Sequence, residues 1–78
     1  MPETTHQYRG YVFTIRYVAK DPAYTVEFPD IPEIITSGDT LALAFEHACE
    51  ALDLHLESLL KLGRHLPPKR TKLIVKTA

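Results

Sequence analysis

The 78-residue chain contains no tryptophan, only three glycines and a single cysteine, Cys49. One cysteine cannot close an intrachain disulfide. In an apolar helical register it is ordinarily a small buried hydrophobe. That usage fits a reducing compartment, so a cytoplasmic location is expected. Charge of one sign is also lacking: nine Lys and Arg stand against ten Asp and Glu, a formal net charge of −1. A stand-alone nucleic-acid binder normally carries a basic excess, which is absent here. No apolar run approaches the roughly 18 residues of a membrane span. The start, Met1-Pro-Glu-Thr-Thr-His, has no basic stretch followed by an apolar one, so no secretion signal is expected.

What is present suffices for one small domain. The hydrophobic fraction is 45% and the charged fraction 24%, which are ordinary globular values, and disorder is not expected. A chain this short buries only about 60–65% of the surface its unfolded form exposes. Its stability margin is thin, and oligomerisation is a common remedy. A single domain over residues 1–78 is expected, with its core at about 8–76. No linker, repeat or low-complexity segment interrupts it.

Residues 1–7 are polar and are expected to fray. Tyr11, Phe13, Ile15 and Tyr17 alternate with Val12, Thr14, Arg16 and Val18, a period of two that predicts a strand with its second face wetter. Lys20-Asp-Pro-Ala reads as a turn. Tyr24, Val26 and Phe28 then alternate with Thr25 and Glu27, completing an antiparallel hairpin. Pro29-Asp-Ile-Pro ends that strand, because proline cannot donate to a central ladder. Ile34-Ile-Thr is a third, short extended piece.

A helix is predicted from Leu41 to about Leu62. Its apolar residues are Leu41, Phe45, Ala48, Leu52, Leu56 and Leu59, and Glu46, Glu50, Asp53, Glu57 and Lys61 trace one solvated stripe. Thr40 is the expected N-cap, Gly63 fits the left-handed position past the helix end, and Pro67-Pro forbids continuation. Lys72-Leu-Ile-Val-Lys reads as an edge strand bracketed by lysines. The order β-β-β-α-β predicts a two-layer α+β domain, one helix packed on an antiparallel sheet.

The residues that could carry chemistry favour structural readings. His6 falls in the polar tail and His65 at the helix end. His47 and His55 lie two turns apart, too far to share a metal. His47 with Glu50 could hold one side of a site, but a zinc centre needs further converging ligands, and Cys49 falls on another face. No metal and no cofactor are expected. Glu46, Glu50, Asp53 and Glu57 read as a wet helix face, with the added possibility of an acidic docking surface for a basic partner. Thr36-Ser-Gly-Asp-Thr has too few glycines, and no lysine, for a phosphate loop. Ser37 and Ser58 lack a base and a third group for nucleophilic catalysis. Phe28-Pro-Asp-Ile-Pro-Glu admits two readings, a rigid crossover with Ile31 in the core or a stiff recognition edge.

Taken in order, these pieces resemble the HicB antitoxin family. The resemblance rests on Tyr24-Thr-Val-Glu-Phe-Pro-Asp-Ile-Pro, then Thr36-Ser-Gly-Asp-Thr, then a helix with Ala44, Ala48, Ala51 and Leu52, then Gly63 and Leu66-Pro-Pro. It covers about residues 8–70. The chain departs from the family pattern at Glu33, where glycine is common, and at Ala42 and Leu43, where a glutamate usually completes a capping box. It also carries no C-terminal DNA-binding module, so DNA binding is not expected of this chain alone.

The resemblance implies a degenerate RNase-H-like fold without catalytic carboxylates and a HicA-type, mRNA-cleaving toxin as partner. It also implies a homodimer or higher homo-oligomer. Glu27, Asp30, Ile31, Glu33, Glu46 and Glu50 are the expected partner contacts. An oligomeric binding module without a toxin partner is one alternative. A remnant nuclease using Asp21, Asp30 or Asp39 with a divalent metal is another, although turns are poor places from which three aspartates converge.

Overall fold

The computed structural model describes residues 3–73. Among the described residues four strands precede one helix: β1 (Thr4–Tyr8), β2 (Tyr11–Val18), β3 (Ala23–Glu27), β4 (Ile35–Gly38) and α1 (Leu41–Lys61). The strands form one antiparallel sheet in the order β1-β2-β3-β4, with the helix packed on one face. The expected two-layer α+β architecture is therefore found.

The segment expected to fray is instead β1. Its residues pair with β2 from Thr4↔Ile15 to Tyr8↔Tyr11. The connection is the two-residue loop Arg9-Gly10, with both residues at positive φ, 52° and 83°. That is the geometry whose twist matches a tight hairpin. His6 is thus not in a loose tail: its ring stacks on Phe13 and meets Phe45 edge-on, each at 5.3 Å between centroids. The strand expected at 72–76 lies outside the described residues, apart from Lys72 and Leu73, which are not in a strand.

Register assigns the two faces. Tyr11, Phe13 and Ile15 of β2 and Val26 of β3 turn toward the helix and are buried, together with Phe28, Ile31 and Ile34. Thr14, Arg16, Thr25 and Glu27 line the other face, where Arg16 and Glu27 approach to 3.8 Å with both side chains exposed. Burial of the apolar set supplies the main driving force, at roughly 25 cal/mol per Å² removed from water.

The helix presents Ala44, Ala48, Leu52 and Leu56 to the core. Ala48, Leu52 and Leu56 are as expected and Leu59 packs against the core; the difference is at the first turn, where Ala44 faces inward while Leu41 and Phe45 are 42% and 39% exposed. Gly38 explains the difference at that turn. A Cβ on it would collide with the Ala44 backbone nitrogen and lie 2.8 Å from Leu43 C. The strand end and the first helical turn touch backbone to backbone, so only a small residue, Ala44, can face inward there.

The caps are as expected. Thr40 Oγ1 accepts from Leu43 N–H at 3.1 Å. At the other end Gly63 N–H donates to Leu60 O and Arg64 N–H to Leu59 O, with Gly63 at φ 69°, the paired bonds of a Schellman motif.

Candidate functional site

The crossover from β3 to β4 is built from two consecutive tight turns. Ile31 N–H donates to Phe28 O at 3.1 Å and Ile34 N–H to Ile31 O at 3.0 Å. Pro29 and Pro32 each occupy the second position of a turn, where a φ fixed near −65° is already correct. The segment is thereby a stiff crossover. Ile31, 1% exposed, is part of the core and offers no surface to a partner.

Asp30 is likewise engaged internally. Its carboxylate accepts from Thr71 N–H and Thr71 Oγ1–H, both at 2.9 Å. The backbone bond from Thr71 is the main force holding this carboxyl below the usual carboxylate range. Partial desolvation opposes it, and the Thr71 hydroxyl, the Arg70 backbone and the Arg70 charge reinforce it. Tyr11 Oη–H donates to Pro67 O at 2.6 Å, and Lys69 Nζ lies 5.2 Å from the centre of the Tyr11 ring. Residues 67–71 therefore form a strap that binds the end of β2 and the crossover. Nothing local in the sequence signals this strap, whose contacts join residues 41 and 56 positions apart.

The other expected contacts are at the surface. Glu27, Glu33, Glu46 and Glu50 are all exposed. Three of them border one contiguous surface around β4. A depression of about 380 Å³ is lined by Glu27, Pro29, Pro32, Ile34 and Ile35, among others. A second, of about 330 Å³, shares Ile34 and Ile35 and adds Glu33, Ala51, Leu54 and His55. A third, of about 320 Å³, shares Ala51 and Leu54 and adds Thr36, His47 and Glu50. Ile35 and Leu54 are the apolar high points, 81% and 66% exposed. Sequence reasoning missed both. Ile35 looked like one half of a short strand, and Leu54 breaks an otherwise polar helix face.

Asp53, read as part of the wet stripe, is tied to the hairpin. It accepts from Tyr8 Oη–H and from Arg9 Nη1–H, each at 3.0 Å, and the bond to its carboxylate raises the Tyr8 pKa. His47 Nδ1–H donates to Ser37 O at 2.7 Å, linking helix and edge strand. Cys49 is half-buried, and desolvation raises its thiol pKa. Among the described residues, no three His, Cys, Asp or Glu side chains gather as a metal site would require. Asp21, Asp30 and Asp39 in particular are not brought together. No helix among the described residues is long and apolar enough to cross a membrane.

Fold and surface together define a small two-layer α+β domain. Around the β4 edge it exposes two apolar side chains, Ile35 and Leu54, beside the carboxylates Glu27, Glu33 and Glu50. A family model described as "HicB_like antitoxin of bacterial toxin-antitoxin system" matches residues 11–77, and the chain belongs to this family. It is also similar to the "Uncharacterized 14.9 kDa protein in rep-hol intergenic region" of Haemophilus phage HP1 (strain HP1c1), 41% identical over 44 residues. That match takes in 56% of the chain and 33% of the phage protein, so the chain spans about a third of its relative's length. No solved structure matches the chain.

Proposed function

We propose that this chain is the antitoxin of a toxin–antitoxin pair, and that it binds a HicA-type, mRNA-cleaving toxin and covers its working surface. The observation that carries the reading is membership of the HicB-like family across residues 11–77. The mechanism is steric occlusion, for which the domain needs a rigid, adhesive surface and no chemistry of its own. The exposed carboxylates Glu27, Glu33, Glu46 and Glu50 suit a toxin that handles a polyanion and is therefore basic. Fixed charges of opposite sign steer such a partner and exclude wrong ones. Co-expression with the neighbouring reading frame, followed by affinity capture and light scattering, tests the reading. A stoichiometric complex and relief of toxin-dependent growth arrest are expected. Growth arrest that persists, with no complex recovered, refutes it.

A second reading, an oligomeric binding module with no toxin partner, draws on the helix end. Leu60 and Leu62 are 60% and 68% exposed there, and a second copy would cover them. A stable homo-oligomer that captures no neighbour-encoded protein would favour this reading.

A further inference from the structure

We propose that the outer edge of β4 is the docking site, and that its occupant is a basic, extended segment of the partner protein that adds to the sheet as a fifth strand. The proposal rests on the antitoxin reading and identifies the face through which it acts.

Three observations carry it. First, β4 has a strand neighbour on one side only: among the described residues it ends the sheet beside β3. An open edge presents unpaired N–H and C=O groups, and natural proteins usually blunt such an edge with lysine, proline or a covering element. The strand Ile35-Thr-Ser-Gly38 contains neither lysine nor proline. His47 ties down its Ser37 end through the 2.7 Å bond to the Ser37 carbonyl. The Ile35 end is left open.

Second, the edge carries an apolar anchor point on each face of the sheet. Ile35 pairs with Glu27 and so lies on the face away from the helix, while Leu54 stands beside the strand on the helix side. An added strand alternates its side chains between the two faces, so consecutive residues would cover Ile35 and then Leu54. Main-chain bonds would supply affinity and these two contacts specificity. The crossover prolines and the backbone contact at Gly38 already hold the edge in place, which lowers the ordering cost of binding.

Third, the sign of the charge selects the occupant. Glu27, Glu33 and Glu50 line the three depressions, and no lysine or arginine does; Arg16 approaches Glu27 from beside the first of them at 3.8 Å, so Glu33 and Glu50 carry most of the negative charge offered to a partner. A second copy pairing its own β4 across this edge would bring its own Glu27, Glu33 and Glu50 to the same seam, with no lysine or arginine from the lining of these depressions. Like charges brought together at one interface repel. A segment with an apolar residue flanked by Lys or Arg meets no such penalty.

The test uses the full chain and the neighbour-encoded toxin. Ile35→Lys and the double variant Glu33→Lys/Glu50→Lys replace exposed side chains, and circular dichroism checks that the fold is kept. Asp21→Lys, on the exposed β2–β3 turn, serves as the control. Each edge variant should weaken binding at least about thirtyfold, as loss of a central anchor does, while the control stays within about twofold. Amide exchange on the wild-type complex should show new protection in β4.

Retention of near-wild-type affinity by both edge variants, or protection confined to the helix, overturns the docking face and leaves the antitoxin reading intact. A wild-type dimer that Ile35→Lys dissociates in the absence of toxin makes the occupant a second copy and overturns the basic partner. Absence of any complex with the toxin overturns the antitoxin reading and this proposal with it.

Discussion

Replacing Gly38 by alanine adds one methyl group at the place where the sheet edge meets the helix. The new Cβ would lie 2.8 Å from both Ala44 Cα and Leu43 C, and closer still to Ala44 N. Carbon atoms rest about 3.5–4.0 Å apart, so the two backbones must separate by roughly 1 Å. Neither side has a flexible side-chain end that could swing away. The change therefore falls near the upper end of the ~1–3 kcal/mol cost of overpacking. A domain of this size holds only about 4–12 kcal/mol in total, at roughly 0.05–0.15 kcal/mol per residue. At ~4–8 °C per kcal/mol, Gly38→Ala should lower the thermal midpoint by about 12–24 °C.

Gly63→Ala is the matched comparison. No atom lies within 4 Å of its added Cβ, and only its φ of +69° resists the change, at a cost of roughly 1–2 kcal/mol. Urea titrations followed by far-ultraviolet circular dichroism measure both. The reasoning fails if Gly38→Ala loses less than about 1 kcal/mol, or if Gly63→Ala proves the more damaging of the two.

Three further outcomes are expected. Leu52→Ala removes a fully buried side chain from the core and should cost about 2–5 kcal/mol. Leu54→Ala, on the exposed edge, should change stability by no more than ~0.5 kcal/mol, and urea midpoints compare the two. Asp30 is held below the usual carboxylate range by Thr71. Its contribution is therefore complete above the unfolded carboxylate pKa and is lost as pH falls through the lowered folded value. On acidification the Thr71 amide should lose hydrogen-exchange protection, and Asp30→Asn should flatten that dependence; equal pH profiles for both proteins would count against the clamp. Arg9 adopts φ 52° in the β1–β2 loop, a position asparagine accepts more readily, and its bond to Asp53 is half-exposed and worth at most ~1 kcal/mol. Arg9→Asn should therefore leave the thermal midpoint unchanged or slightly raised, and a fall of more than about 8 °C would show that the Arg9–Asp53 pair matters more than argued.

The sequence by itself determined the features that rest on local physics. Period-two alternation marked β2 and β3. Thr40 and Gly63 marked the ends of the helix, because capping depends on side chains and φ values within a few residues. Glu27, Glu33, Glu46 and Glu50 were legible as exposed acids, but the sequence did not distinguish them from Asp30, which the fold engages internally.

Tertiary structure alone decided the remainder. Residues 1–7 read as polar, yet Thr4–Tyr8 is a strand because Arg9-Gly10 folds it back on β2, where the ladder, the His6 ring on Phe13 and the Tyr8–Asp53 bond hold it. The helix turned Ala44 rather than Phe45 inward because a glycine on another element demanded close approach. Asp30 found Thr71, and Tyr11 found Pro67, across separations that no window of sequence spans. The candidate site is of this second kind. Ile35 and Leu54 are ordinary aliphatic residues, and only the open edge of the sheet, with three carboxylates around it, makes them a surface.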